Sequence, residues 1–502
     1  MFESVLNDPI GSSKPSLRVA ILIAVALSIQ NCNADWPQFR GPNSGGIADS
    51  HPLPEEFGPN KHERWSVPIG SGHSSPIVVG DSIYLTTFQA TSKTLSLVCI
   101  GCTSGEVRWQ RDLQPDEIEH GHPSFNPASS TPAADNECVV AYFGSFGLIC
   151  FDHDGTERWR RAMPVTKSFA GNATSPAIFD DRVILYRGNR VDHLLLAIDK
   201  ATGETIWEVQ MDEPFVDELA CTACPIRHGE QVIIHAARSV QSFDLQTGQR
   251  LWQTKAATTA TSTPVIAGDE VIVAAWNKMG EPALRPSFPT FEELVAEHDR
   301  NNDKLIGQEE LPKLWLFHRP DGAEAPMNGA SIRFDNADHN SDGGISADEW
   351  DATLAGIEKF RAGYQTHGIL AIPLDGNSTN RIDGVRTLVT EGVPEVPSPI
   401  VHDGIVYAVK NGGILTCIEL ASGNVTARIR TEGRGTHYAS PVIGDNKLFT
   451  TSGDGTISVL TLERKPQVVA VNKMLESVYA TPAIDNGVIY IRSHLRLHAF
   501  SQ

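Results

Sequence analysis

The 502 residues carry 61 acidic and 41 basic side chains, a formal charge of −20, with 40% hydrophobic residues and eight cysteines. This composition buries a substantial core, which excludes a disordered chain. The carboxylate excess repels phosphate backbones and anionic lipid, so no nucleic-acid partner is expected and a cation is the better charged ligand.

In chain order, the first feature is an uncharged apolar run, Val19 to Ile29, behind Lys14 and Arg18. It is too short to cross about 30 Å of hydrocarbon as a helix but suits the apolar region of a signal peptide. Residues 1–34 are expected to be that peptide, cleaved after Ala34, which gives an extracytoplasmic protein, periplasmic or secreted, with no transmembrane anchor in the mature chain. Cys32 follows polar Gln30 and Asn31, where a lipid-anchoring motif has small or apolar residues. The seven remaining cysteines are too few for a disulfide scaffold.

From residue 62 the chain repeats. A small or polar residue, a proline, an apolar run and a Gly/Asp/Asn turn recur around Pro76, Pro132, Pro176, Pro225, Pro264, Pro399, Pro441 and Pro482. Seven intervals separate the eight anchors, and all but one are close to the 40 to 45 residues of a propeller blade. Each unit reads as four short strands with Gly or Asn turns, the fourth often carrying Trp (65, 109, 159, 207 and 252). Those indoles are expected to pack between blades rather than to stack on a ligand. Blades six and seven lack the Trp, with Ala427 at one equivalent position, so their joints should pack differently. The last unit stops at Gln502 without a fourth strand, and His62 to Gly70 is expected to supply it. The fold class is therefore all-β: an eight-bladed propeller of four-stranded antiparallel blades, closed by the N-terminal strand and monomeric.

The exceptional interval, 135 residues, falls inside blade five between Val271–Ala275 and Gly368–Pro373. Its core, Thr290 to Phe360, has 16 acidic and 6 basic residues, so half of the chain's net charge lies there. Two segments, Asp299 to Glu310 and Asp338 to Glu349, follow the spacing of an EF-hand loop, in which oxygens at positions 1, 3, 5, 7, 9 and 12 wrap Ca²⁺. Those positions are Asp299, Asn301, Asp303, the Leu305 carbonyl, Gly307 through water and Glu310 in the first loop. In the second they are Asp338, Asn340, Asp342, the Gly344 carbonyl, Ser346 and Glu349. Ile306 and Ile345 stand at position 8, where paired loops exchange a short β contact. Phe291, Leu294, Val295 and His298 share a helix face before loop one, as do Trp350, Leu354 and Ile357 after loop two, so the insertion is expected to be an α-helical EF-hand pair. Lys304 replaces the usual Gly at position 6 and should weaken loop one. Two Ca²⁺ sites follow, the second stronger.

The organisation is then 1–34 signal peptide, 35–280 blades one to five with the closing strand 62–70, 281–365 insertion, and 366–502 the rest of blade five to blade eight. Strand parity puts the insertion on the face of the inter-blade loops and the channel mouth. His120, His122 and Asn126 in a long inter-blade loop, with His73 and His437, are candidates to line that mouth. Cys99/Cys102 and Cys221/Cys224 are C-x-x-C pairs without the His of haem attachment. Cys99, Cys150 and Cys417 share a small-residue slot with Ala197 and Ser242. No nucleophile elbow, phosphate-binding loop or zinc-protease motif is present, so no catalytic residue is assigned.

The turn A-x-D-x-x-T-G-x-x-x-W (Ala197, Asp199, Thr202, Gly203, Trp207) and the opening Asp35 to Gly46, DWPQFRGPNSGG, resemble the PQQ-like β-propeller repeat proteins of bacteria. The resemblance covers nearly the whole mature chain outside the insertion. It is similar both to quinoprotein alcohol dehydrogenases, which implies pyrroloquinoline quinone (PQQ) and a dehydrogenase, and to an outer-membrane assembly lipoprotein with the same fold and no cofactor. The Cys-Cys dipeptide that covers PQQ in the enzymes does not occur here, and their calcium-ligating and catalytic positions have no match. The first expectation is a secreted, non-catalytic calcium-binding propeller with a protein or polymer partner at the channel mouth. A PQQ-dependent dehydrogenase and an outer-membrane assembly scaffold are the alternatives.

Overall fold

The computed structural model describes residues 35–216, 219–318, 329–363, 366–374 and 384–502, and the signal-peptide reading of 1–34 lies outside them. Eight four-stranded antiparallel sheets form the blades. Blade one is built from Ile77–Val79, Ser82–Gln89, Thr94–Gly101 and Val107–Leu113. Its third strand is buried at every position, while the outermost alternates between buried and exposed, because neighbouring blades cover both faces of the inner strands. Blade eight combines Ala483–Asp485, Val488–Arg492 and Arg496–Phe500 with the N-terminal Glu63–Pro68, which pairs Trp65 with Ala499 and Val67 with Leu497. Ring closure by the first strand is thus realised.

The repeated tryptophans do join blades. Nε1 of Trp65, Trp109, Trp159 and Trp207 each donates to a backbone carbonyl of the following blade, those of Cys102, His153, Lys200 and Leu245, at 2.8 to 3.0 Å. Each indole also covers a turn glycine of that blade: Gly105, Gly155, Gly203 and Gly248. Trp252 departs, bonding Gln231 Oε1 in its own blade. Where the indole is missing, other donors serve the joint. Arg386 of blade five reaches the Leu420 carbonyl of blade six at 3.0 Å, and Thr426 of blade six reaches the Arg464 carbonyl of blade seven at 2.7 Å. Cys99, Cys150 and Cys417 are buried, and each stands opposite its blade's indole or Ala427, the small-residue slot expected.

Residues 35–48 cross the ring. Trp36 pairs with Val78 of blade one, the Pro37 carbonyl accepts from Ala134 of blade two, and Asn43 exchanges two 2.7 Å bonds with the backbone of Arg227 in blade four. Arg40 reaches Pro399 in blade six, and the Gly46 carbonyl accepts from Ile443 in blade seven. Blades two and six face each other across an eight-membered ring, so this segment spans the channel axis. Its partners lie along the first strands, past the ends that receive the inter-blade loops. The segment therefore plugs the far end of the channel.

The insertion leaves blade five after Glu270–Ala275 and returns at Gly368–Pro373, as expected. It folds around its own core of Leu294, Ile306, Ile332, Ala337, Ile345 and Trp350. Helix α1, Phe291–His298, precedes loop one; α2, Phe334–Ala337, and α3, Ala347–Ala362, flank loop two. The α-helical expectation needs one correction. No helix leaves loop one: Glu310 and Leu311 make a single turn onto Gly307, after which Trp315–His318 pairs with Gly329–Ser331 as a hairpin. Pro312 has no N–H to continue a helix, and the apolar, aromatic run that follows suits a strand.

Candidate functional site

With one end plugged, the channel is a cavity of 1120 Å³ that takes Phe39 of the plug into its lining and opens towards the inter-blade loops. The residue before each anchor proline lines it, and these residues hydrogen-bond in a ring. The amides of Ser75, Thr131, Thr263, Ser398 and Ser440 donate to the next blade's hydroxyl, at Thr131, Ser175, Ser398, Ser440 and Thr481, over 2.9 to 3.0 Å. Thr481 closes the circle onto Ser75 Oγ at 3.1 Å. Cys224 donates to Thr263 at 3.0 Å, and the Ser175 amide meets the Cys224 thiol. Seven hydroxyls and one thiol thus tie eight blades together. The Ser-Pro and Thr-Pro pairs were visible in the sequence, but their role needs the closed ring.

Higher in the cavity Tyr479 meets the His73 ring edge-on at 4.9 Å and Tyr438 at 5.6 Å. Burial, with Arg492 and His494 nearby, pushes His73 down to about 4, so it is neutral at pH 7. His122 also lines the cavity, against Phe169. The other candidates do not gather there: His120 is exposed, Asn126 bonds Ser71 Oγ, and His437 is buried against the Gly435 carbonyl. The cysteines of both C-x-x-C pairs are free, and Cys224 lines the cavity.

The stem of the insertion reaches this mouth. Trp276, Lys278, Glu281 and Leu284 line the cavity. Below them the Asn277 amide donates to His367 Nδ1 at 3.0 Å, and His367 Nε2 lies 3.5 Å from Glu281 Oε2, which fastens the outgoing and returning strands.

The two insertion loops have the same internal wiring. In loop one Asp299 Oδ2 accepts from Lys304 N at 2.9 Å, Asn301 from Asp303 N at 2.9 Å, Asp303 from Leu305 N at 2.8 Å, and Glu310 from Arg300 N and Gly307 N. In loop two Asp338 accepts from Gly343 N at 3.0 Å, Asn340 from Asp342 N at 2.7 Å, Asp342 from Gly344 N at 3.1 Å, and Glu349 from Asn340 N and Ser346 N. The loops meet through an Ile306–Ile345 β pair. Backbone amides, Gly307 first and Ser346 first respectively, hold Glu310 and Glu349 below the usual carboxylate range. Lys304 takes a φ of +64° where loop two has Gly343 at +93°, the strain expected of a side chain at position 6. The Ser346 hydroxyl caps α3 in a capping box with Glu349. Asp299 Oδ1 is buried without a hydrogen-bond partner, as an oxygen reserved for a cation would be. Among the described residues no three His, Cys, Asp or Glu side chains are gathered as a metal cluster, because these carboxylates turn to amides.

Residues 93–325 and 385–502 match the family described as outer membrane protein assembly factor BamB. The chain belongs to this family. A BamB from Yersinia pestis is 23% identical over 327 residues, 56% of this chain and 78% of the relative. The structure of BamB from Moraxella catarrhalis superposes with a TM-score of 0.50 at 12% identity, covering 88% of this chain and 99% of that one. A europium-containing methanol dehydrogenase gives 0.52 at 12% identity, covering 92% and 90%. At such identities the structural likeness establishes the propeller fold. Among the described residues no helix is long and apolar enough to cross a membrane.

Proposed function

We propose that this BamB-family propeller is an extracytoplasmic, non-catalytic scaffold that binds Ca²⁺ in the two insertion loops and takes a protein partner on the channel-mouth face. The observation that carries the reading is the identical wiring of the two oxygen-rich loops, in an insertion whose stem lines the mouth. Asp299, Asn301, Asp303, the Leu305 carbonyl and Glu310 would hold one ion, with Gly307 leaving room for water. Asp338, Asn340, Asp342, the Gly344 carbonyl and Glu349 would hold the other, beside Ser346. Each hard cation would bring like-charged carboxylates together and so order the insertion. The family name supports a protein partner, and residues 1–34 support export. Calorimetric titration with Ca²⁺ tests the metal reading: no heat and no gain in protease resistance of residues 281–365 would overturn it. Capture of envelope proteins by the Ca²⁺-loaded chain, lost when the insertion is deleted, tests the partner.

The PQQ-dependent dehydrogenase remains a likeness of fold. The residues present do not fit the covering disulfide of that cofactor, since Cys224 has no adjacent cysteine.

A further inference from the structure

Arg40 loses its water on folding without gaining a counter-ion. It is fully buried, and a single 2.9 Å bond from Nη2 to the Pro399 carbonyl holds it. Its Nε and Nη1 meet no acceptor among the described residues. Arg492 is as deeply buried yet gives its protons to Ser74, Thr86 and Gly70, and buried Arg187 pairs with Asp192. Burial drives Arg40 down to about 9, which leaves it charged at neutral pH. The Cys224 thiol lies within its electrostatic reach, but burial pushes that thiol up and keeps it neutral. A buried cation so poorly paired is costly unless something else supplies the acceptors.

The surroundings offer donors only. Arg40 stands in the plug between Cys224 of blade four and Pro399 of blade six, both at the level of the hydroxyl ring. Each ring hydroxyl already accepts an amide proton, and none of the seven donates its own proton to a protein acceptor among the described residues. Those seven O–H groups therefore remain for the lumen. Above them the cavity lining holds Lys278, Lys410, Arg430 and Arg434 against Glu281 and Glu395, a positive excess in a chain of charge −20. Such a funnel draws anions inward.

We propose that the cavity floor, where Arg40 meets the hydroxyl ring, binds a singly charged anion. The shared chemistry is a compact negative group accepting N–H and O–H bonds. Its source is either a free ion such as chloride or the carboxylate end of an organic ligand filling the cavity. The site stands independently of calcium in the insertion.

The test is chloride titration of the full mature chain, exchanged into gluconate at constant ionic strength. It is followed by ³⁵Cl line broadening and by the melting temperature. Saturable broadening with a parallel rise in melting temperature is expected, and Arg40→Gln should weaken both at least tenfold. Cys224→Ser keeps the guanidinium and completes the ring with an eighth hydroxyl. It should bind chloride at least as tightly, so the proposal stays testable if Arg40→Gln does not fold. Competition then separates the sources: acetate and benzoate displacing chloride equally identifies a free-ion site, and benzoate acting at tenfold lower concentration identifies an organic carboxylate. Absence of saturable broadening in the wild type, undiminished binding in Arg40→Gln, or its loss in Cys224→Ser would overturn the proposal.

Discussion

Trp207 of blade three lies flat against Gly248 of blade four, so close that a Cβ on the glycine would fall 2.7 Å from the indole Cδ2. The contact is sealed by a 3.0 Å bond from the indole N–H to the Leu245 carbonyl. Gly248 has a φ of +72°, which brings bare backbone to the ring face. Gly and Trp, 41 positions apart in sequence, thus form one unit of blade-to-blade adhesion.

Gly248→Ala should therefore destabilise on two counts: about 1 kcal/mol for a left-handed alanine and about 1 to 3 kcal/mol for overpacking against the indole. Gly229 supplies the comparison, since its φ of +56° faces open space. Gly229→Ala should show only the first cost. Urea unfolding monitored by Trp fluorescence separates them, and equal midpoints for the two variants would remove the packing term.

Much of this architecture was legible because the anchor prolines and the fourth-strand Trp recur at fixed places in every unit. Blade count, closure by Glu63–Pro68 and the position of the insertion follow from that periodicity alone. The partners of those residues were not legible, because they lie in the next blade: Gly248 under Trp207, or Arg386 replacing an indole at Leu420. The hydroxyl ring had a written signal, Ser or Thr before proline, yet its meaning depends on closure in space. Asp35 to Gly46 carried a resemblance but no position. Only contacts with blades on opposite sides reveal it as a plug. In the insertion, twelve-residue spacing fixed the loop turns, whereas the helix missing after Glu310 was signalled by Pro312 and overlooked.

Calcium binding should be unequal between the loops. Lys304 holds a left-handed conformation that Gly343 adopts freely, and its ammonium adds positive charge near the ion. Lys304→Gly should tighten loop one by about tenfold, equivalent to about 1.4 kcal/mol. Glu349→Gln should abolish the stronger of two phases in a calorimetric titration while Glu310→Gln abolishes the weaker. If Lys304→Gly leaves the weaker phase unmoved, position 6 is not what limits loop one.

Stability should also respond to pH through Glu119. This carboxyl is 3% exposed beneath the long loop of blade one; Thr166 Oγ1 donates to its Oε2, and Oε1 has no partner among the described residues. Burial pushes it up to about 7 from an ordinary value of 4.5. The folded chain thus holds a proton that the unfolded chain has released between those limits. Its contribution is favourable at low pH and is lost as pH rises from about 4.5 through about 7, by something on the order of 3 kcal/mol. Asp485, raised to about 7 by burial, acts in the same direction. Glu119→Gln should flatten part of the decline in melting temperature between pH 5 and 7, and an unchanged slope would show that Glu119 is ionised in the native protein.

The hydroxyl ring makes a sharper demand, because it can be broken at one link without altering side-chain shape. Thr263 Oγ1 accepts the buried Cys224 amide at 3.0 Å, while the Thr263 amide passes the chain of bonds on to Ser398 Oγ at 2.9 Å. Thr263→Val removes only the acceptor and strands a buried N–H, a loss of about 1 to 3 kcal/mol. Thr450 is also buried, but its hydroxyl has no partner among the described residues, so Thr450→Val should be neutral or stabilising. The same chemical change is thus expected to carry opposite signs at two buried threonines. Denaturation midpoints decide it, and amide exchange at Cys224 localises it: faster exchange there in Thr263→Val, and not in Thr450→Val, is the signature of a broken ring.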